Sequence, residues 1–472
     1  MNNISRHPHD EISGEDHKRR VLVITPEPLP LPGQATSGAG LRAWGLTMGL
    51  RARGFDAIAA SCRTAFSEKY LSGECPLPSY VRMFQRDRAG ELIREVDPEV
   101  VILQHWGMAH EIPDLSVPLA IDLAGPHLLE RLYWGTSEFF RDAEAKLAAL
   151  RRADFVVCSG EYQRHYFYAW LALAGFDLRK TDVPVIPFSV PPPNVFPSTT
   201  EREPHSFVFG GLLLAWQDPS RGFRILLEEM DRQQKGVLHI FTGAHPVLDA
   251  SDSHLAPLVQ ELRAHPRVRF HGIVPFDELL REYTKYEVAF DLMMRNPERE
   301  LAFTTRTIVY LACGLPVVYN DYSEISQLIK NHECGWCISP DDGSTIREVC
   351  RRILANDYPL SAMSKKAKEL AEQLSWDKTI TPLAEFCAHP FFRQNKQQST
   401  LRTEALDREV DELRRRCAEL EAELRTLNSK WIVRLARKLK PLRWLLAGLT
   451  WLAMLPVSFY IRRCLESTSR PR

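Results

Sequence analysis

Residues 304–318 read TTRTIVYLACGLPVV, so two threonines and an arginine open a short apolar segment that stops at Gly314 and runs past Pro316 into a β-branched strand. A buried helix has no use for Thr304, Thr305 and Arg306 at its start, whereas an anion-binding helix does. The first turn of a helix presents free N–H groups and a partial positive charge. Arg306 adds a charge-assisted fork worth roughly 1.5–3 kcal/mol per hydrogen bond, and the threonines add hydroxyl donors and an N-cap. The chemistry this implies is the holding of a phosphate. Nearer the N-terminus, His105 and Asp122 end two strand-like runs, and His127 follows five residues after Asp122. Any of the three can orient or deprotonate a hydroxyl, and each is equally well read as a structural residue.

The elements that must position these groups are legible as alternating runs. VLVIT (21–25), DAIAAS, EVVILQHW, VPLAIDL and DFVVCS have strand length and little polarity, with helical patterns such as EAKLAALRRA between them. A helix from about Leu41 to Arg53 follows a Pro/Gly-rich loop and ends at Gly54. The proline-rich stretch 191–206 reads as a linker, after which the alternation restarts through SFVFGG, VLHIFTG, VRFHGIV, YEVAFDLM and LPVVYN. Such alternation predicts an α/β chain of two Rossmann-like domains, 20–190 and 207–395, each a parallel sheet between helix layers. Ligands bind at the C-terminal ends of such sheets, which predicts a cleft between the domains.

Composition narrows the rest. A chain of 472 residues is too long for one core, and 44% apolar with 25% charged residues is ordinary for a globular protein. The formal net charge is zero, yet roughly ten Lys/Arg face one Glu between residues 429 and 472, which argues against a nucleic-acid binder and for a basic tail with its own task. The ten cysteines form no disulfide-like framework, which favours a reducing compartment. Cys334-Gly-Trp-Cys337 has redox spacing, but a helix precedes it and a strand follows, the reverse of a thioredoxin-type order, and a zinc site would need a second pair. Residues 1–19 form a polar lead-in without signal-peptide character.

The block ERELAFTTRTIVYLACGLPVV resembles the nucleotide-sugar-dependent glycosyltransferases of the GT-B fold, retaining family 4 and its neighbours. GAGLRAWGLTMGLRARGFD, AKLAALRRADFVVCSGEYQR, FVFGGLLLAWQDPSRGFRILLE and VRFHGIVPFDELLREYTKYEVAF resemble further segments of that family in order, so the likeness spans about residues 21–390. It implies transfer of a sugar from a nucleotide diphosphate, bound by the C-terminal domain, to a glycan or lipid-linked acceptor on the N-terminal domain. Arg221-Gly222 stands where the family has its donor-phosphate Lys-Gly, so Arg306 and Arg221 become the groups that stabilise the leaving anion. Gly38 and Gly40 leave room for the donor at the first helix start or simply form a turn. Gly211 and Gly243, which close strands of the C-terminal domain, are expected among the donor-binding residues. Either Glu298 or Glu300 falls near the first acid of the family's E-x7-E pair, whereas the second is missing, with Val309 in its place, and Gln327 replaces a common Glu. No D-x-D pair occurs, so neither a metal nor another cofactor is expected, the nucleotide sugar being a substrate.

Residues 400–431 change grammar. Val410, Leu413, Cys417, Leu420, Leu424, Leu427 and Trp431 alternate spacings of three and four, the seam of a coiled coil that can join copies of the chain, or else of one amphipathic helix folded on the body. Residues 432–472, the tail, continue the basic stretch KWIVRLARKLKPLR that begins at Lys430 into WLLAGLTWLAMLPVSFYI, an apolar run flanked by basic residues on both sides and interrupted by Pro456. This is read as a helix inserting into one leaflet, with anionic lipid adding about 1 kcal/mol per nearby Lys/Arg. The expectation is a cytoplasmic enzyme at the inner face of the cell membrane, in surface polysaccharide or glycolipid synthesis. The rival is a catalytically degenerate relative that binds nucleotide sugar or glycan and scaffolds partners through its coiled coil.

Overall fold

In the computed structural model of this chain, residues 18–133, 139–196, 201–243, 255–394 and 396 are described within one compact unit, and residues 412–413 and 415–424 within a second. The first unit holds two six-stranded sheets whose neighbouring strands run parallel. The first lobe contains β1 (Arg20–Thr25), β2 (Asp56–Cys62), β3 (Val81–Phe84), β4 (Val100–Leu103), β5 (Leu119–Leu123) and β6 (Phe155–Cys158), in the order β3-β2-β1-β4-β5-β6. The second contains β7 (Ser206–Gly210), β8 (Val237–Phe241), β9 (Val268–Phe270), β10 (Val288–Asp291), β11 (Val317–Asn320) and β12 (Gly335–Ile338), in the order β12-β11-β10-β7-β8-β9. Both sheets are doubly wound in the same sense. The winding reverses between β1 and β4 in one lobe and between β7 and β10 in the other, and a crevice opens at each such point.

The unbroken apolar runs explain the strands. Val21, Leu22, Val23 and Ile24 are wholly buried, as a parallel sheet covered on both faces requires. Ser37 starts the Gly38–Ala52 helix, its Oγ accepting from the Gly40 N–H at 3.0 Å and donating to Glu27 at 2.7 Å. The Thr305–Ala312 helix ends where Gly314 takes a φ of 73° and the Leu315 N–H bonds back to the Tyr310 carbonyl at 2.9 Å.

The boundaries depart from the sequence reading at one place. The Trp376–Thr379 and Thr381–Ala388 helices, assigned above to the second domain, return to complete the first lobe. Ile380, Leu383, Phe386 and Cys387 share a core with Val21 and Val23, and Phe386 stacks on Phe155 of β6 at 4.4 Å between ring centroids. A Cβ at Gly49 would meet the Trp376 carbonyl at 2.8 Å, so the bare glycine lets these helices close on the first. Hydrophobic pattern says that a helix buries a face, but not on which lobe.

In the second unit, residues 412–413 and 415–424 are helical, with Leu413, Leu420 and Leu424 more than half exposed and Cys417 exposed. Val410, Leu427, Trp431 and the tail from 432 to 472 lie outside the described residues. No helix among the described residues is long and apolar enough to cross a membrane.

Candidate active site

Arg306 stands at the reversal point of the second sheet. Its guanidinium lies over the Phe209 ring of β7 at 5.0 Å, its Nη2 donates to Gln217 Oε1, and its Nε is 3.9 Å from Asp291 Oδ1 at the end of β10. Asp291 is fixed in turn by the Thr307 hydroxyl at 2.7 Å. Gly211, just past β7, adopts a φ of 129°, and a Cβ there would lie 2.9 Å from Arg306 Nη1. That glycine therefore clears the space for the guanidinium. Nη1 itself is buried and makes no hydrogen bond among the described residues. An unsatisfied cationic donor at the carboxyl end of a doubly wound sheet is set up to receive an anion.

The two threonines divide their duties. Thr304 is buried, with its hydroxyl bonded to Thr307 Oγ1 at 2.7 Å and to the Tyr319 hydroxyl at 2.8 Å, and it makes no capping bond. The expectation that it serves as a donor ligand or N-cap gives way to a structural role, because its oxygen is spent inside the core. Thr305 points at the first lobe, since a Cβ on Gly38 would come within 3.1 Å of its Oγ1. The starts of two helices, one per lobe, thus meet across the cleft.

Arg221 is not free to join Arg306. Its Nη2 donates to the Asp341 carbonyl at 2.7 Å and its Nη1 lies 3.5 Å from the Asp341 carboxylate, near the exposed surface. Gly40 serves packing, because a Cβ there would strike the Pro28 carbonyl oxygen at 1.9 Å. Gly243 closes β8 against Ile273, 2.9 Å from a Cβ placed on it. Of the two glutamates left open, Glu298 is 2% exposed and bonded through both oxygens to Arg299, while Glu300 pairs at the surface with Arg295 at 2.7 Å. Burial raises the Glu298 pKa, and Glu130 of the first lobe adds to the rise.

In the first lobe the three candidates separate. Asp122 is locked to Arg42 by two bonds of 2.9 Å, and both side chains are buried. Arg42 also donates to the Ile186 and Pro187 carbonyls at 2.6 and 2.8 Å. The catalytic reading of Asp122 is therefore corrected: its carboxylate ties the first helix to β5. His105 Nδ1 accepts from the Gly107 N–H at 2.9 Å, so the neutral ring carries its proton on Nε2. Burial first, then His127 and Lys146, hold its pKa well below the usual value, which favours the neutral ring with its N–H at Nε2. His127 is different. Its Nδ1 lies 3.2 Å from Glu130 Oε2, its Nε2 makes no hydrogen bond among the described residues, and its ring sits 4.3 Å from that of His105. Burial alone would lower the His127 pKa, but the charge and hydrogen bond of Glu130 leave it raised.

The lobes are joined around this site. The Gly33 N–H donates to Asp277 at 3.0 Å, the Phe276 N–H to the Gln34 carbonyl at 3.2 Å, and the Tyr162 N–H to Glu324 at 3.1 Å. Sequence reasoning missed Arg42, Gln217, Asp291, Glu130 and Lys146. Arg42 and Lys146 carried a signal, being charges set among apolar neighbours in GLRAWGL and AEAKLAAL. Cys334 and Cys337 are free thiols pushed up to about 12 by burial, which keeps them unreactive. No group of three or more His, Cys, Asp or Glu suited to a metal occurs among the described residues.

Two doubly wound lobes with an anion-ready crevice between them define the GT-B fold. Residues 204–356 match the family model of glycosyl transferases group 1, which covers most of the second lobe and includes Arg221, Glu298, Thr305 and Arg306. The chain is similar to the solved structure of sucrose-phosphate synthase from Thermosynechococcus elongatus, with a TM-score of 0.57 and 15% identity over 78% of this chain and 98% of that one. It is also similar to WaaG, a glycosyltransferase involved in lipopolysaccharide biosynthesis, with a TM-score of 0.54 and 13% identity over 78% of this chain and all of the other. An alpha-glucosyltransferase solved with UDP and DNA gives 0.55 and 10% over 79% of this chain and 100% of that one. A search of curated protein sequences returns no match.

Proposed function

We propose that this protein is a glycosyltransferase that moves a sugar from a nucleotide-diphosphate donor to a glycan or lipid-linked acceptor, with retention and without a metal ion. The observation that carries the reading is Arg306, whose Nη1, unpartnered among the described residues, lies beside Gly211 while Thr305 of the same turn faces Gly38. When the bond between the sugar's anomeric carbon and the diphosphate breaks, negative charge develops on the leaving oxygen. Arg306 and the uncapped first turn of its helix stabilise that charge, and the loss of one such donor typically costs 10²–10³-fold. The acceptor hydroxyl oxygen bonds to the anomeric carbon, and its proton passes to the departing diphosphate. His127, aligned by Glu130, is the first-lobe group suited to hold the acceptor sugar.

The basic and apolar tail supports action at the inner face of the cell membrane, where a lipid-linked acceptor of surface polysaccharide or glycolipid synthesis would reside. The exposed heptad leucines support self-association through the coiled coil. Purified protein would be incubated with a panel of nucleotide sugars and membrane lipid extract. Transfer that Arg306→Ala abolishes supports the reading. Tight donor binding with no turnover under any acceptor supports instead a degenerate, scaffolding relative, which buried Val309 in place of a second acid favours. Deleting residues from Trp431 onward should release the protein from membranes and leave donor binding intact; a truncated form that still sediments with membranes refutes the tail assignment.

A further inference from the structure

Lys146 has no task in the chemistry above, yet it is wholly buried in the first lobe. Its ammonium lies 5.0, 4.7 and 4.6 Å from the rings of Tyr166, Phe167 and Trp170 and has no hydrogen-bond partner among the described residues. The Phe139–Arg152 helix that carries it packs against the Trp106–His110 turn, with His110 Nε2 2.9 Å from the Ala145 carbonyl. Lys146 therefore sits behind the histidine pair, close enough for its charge to depress the His105 pKa. Around the same His105 ring stand Trp106, stacked at 5.1 Å, and His127 at 4.3 Å. Trp106 Nε1 and His127 Nε2 are also buried without a partner among the described residues.

Tyr166 Oη is a further buried orphan and, as a hydroxyl, can donate or accept; the other three share one sign. Indole N–H and ammonium can only donate, and His127 donates from Nε2 once protonated. Glu130 is already taken by His127 Nδ1, and burial, unrelieved by any carboxylate, pushes the Lys146 pKa down to about 7. Aromatic faces relieve an ammonium in part, but they supply no lone pair for its N–H groups. Buried donors with nothing to donate to are rare in folded proteins and mark a missing acceptor. A water would satisfy one or two of them, whereas two basic side chains and an indole around the His105 ring favour an anion. The side chain of His127 is 26% exposed, so its ring borders solvent while its Nε2 lies just beneath the surface.

We propose that Lys146, Trp106 and His127 form a subsite for an anionic substituent, a carboxylate or a phosphate ester, carried by the acceptor sugar. This rests on the reading that the first lobe holds the acceptor. The acceptor would thus be an acidic or phosphorylated saccharide, its charged group lodged against Lys146 and its hydroxyl presented toward the donor.

Binding of glucuronate, glucose 6-phosphate, glucose and inorganic phosphate to the full chain would be measured by calorimetry, beside binding of UDP, GDP and ADP as donor-site probes. One anionic sugar should bind at least about tenfold more tightly than both glucose and free phosphate. Lys146→Met, which keeps the length and the ring contacts, should abolish that preference and leave nucleotide binding unchanged. Should that variant fail to fold, Trp106→Phe removes one donor from the corner and should lower the preference severalfold. Equal binding of glucose, or a preference surviving either substitution in a folded protein, overturns the subsite. Absence of nucleotide binding in the wild type would count against the donor site and not against this one.

Discussion

Gly38 and Thr305, 267 positions apart, stand against each other across the cleft, with 3.1 Å between an ideal Cβ on the glycine and the threonine hydroxyl. Gly38 begins the first helix of one lobe and Thr305 begins the helix that carries Arg306 in the other. Each belongs to the first turn of a helix, so the free N–H groups of both lobes converge on the space where a diphosphate would lie. A branched side chain at Gly38 would fill it. Gly38→Val should weaken nucleoside diphosphate binding by about tenfold or more with little change in Tm, since the position is helical and only the opposite lobe crowds it. Unchanged affinity would separate the glycine from the ligand.

The two arginines should differ sharply. Arg306→Ala should reduce kcat by roughly 10²–10³-fold, whereas Arg221→Ala, already tied to Asp341, should cost less than about tenfold. Gly211→Ala should reproduce much of the Arg306 defect, because its Cβ displaces the guanidinium and its φ of 129° strains any other residue. Steady-state kinetics on the three variants ranks them.

Asp122→Asn offers a contrast between structure and chemistry. Breaking a buried ion pair by removing one partner costs about 3–5 kcal/mol, so the variant should melt far below the wild type. Arg42→Met should do the same. A folded, stable Asp122→Asn protein with no turnover would return Asp122 to the catalytic set.

Lys146 gives a signed pH effect. Its folded pKa of about 7 lies below the ordinary lysine value of 10.5, so between those limits the unfolded chain binds more protons than the folded one. Its contribution to stability therefore rises with pH through that window and is flat below it. Denaturant titrations of the wild type and Lys146→Met from pH 6 to 10 should show the variant's relative advantage shrinking as pH increases. A difference that stays constant with pH would mean an ordinary lysine.

Cys417 reports on self-association. The seam through Leu413, Cys417, Leu420 and Leu424 would set Cys417 opposite its counterpart in a parallel, in-register pair. Mild oxidation of the full chain should then give a cross-linked dimer that Cys417→Ser abolishes. Sedimentation as a monomer at micromolar concentration would end the coiled-coil reading.

Much of the architecture was readable because it is local. Unbroken apolar runs gave the strands, the proline-rich stretch gave the linker, and Gly54 and Gly314 gave helix ends, each within a few residues of where it acts. β3, with two of its four residues only partly buried, escaped notice because a short edge strand carries little pattern. The return of residues 376–388 to the first lobe escaped as well, since an amphipathic helix does not state which surface it covers.

The site was legible only by residue type. Sequence alone determined that Arg306 opens a helix after a strand, that a helix follows the glycine loop beyond the first strand, and that the chain alternates strand and helix twice over, because these follow from spacing along the backbone. Tertiary structure decided that Asp122 is spent on Arg42, that Arg221 is held by Asp341, that His127 Nε2 is buried without a partner among the described residues, and that Lys146 lies behind the histidines. Which polar atoms find partners depends on groups 80 or 120 positions away. Those neighbours are set by strand order and by the closing of the lobes, and no local period records either.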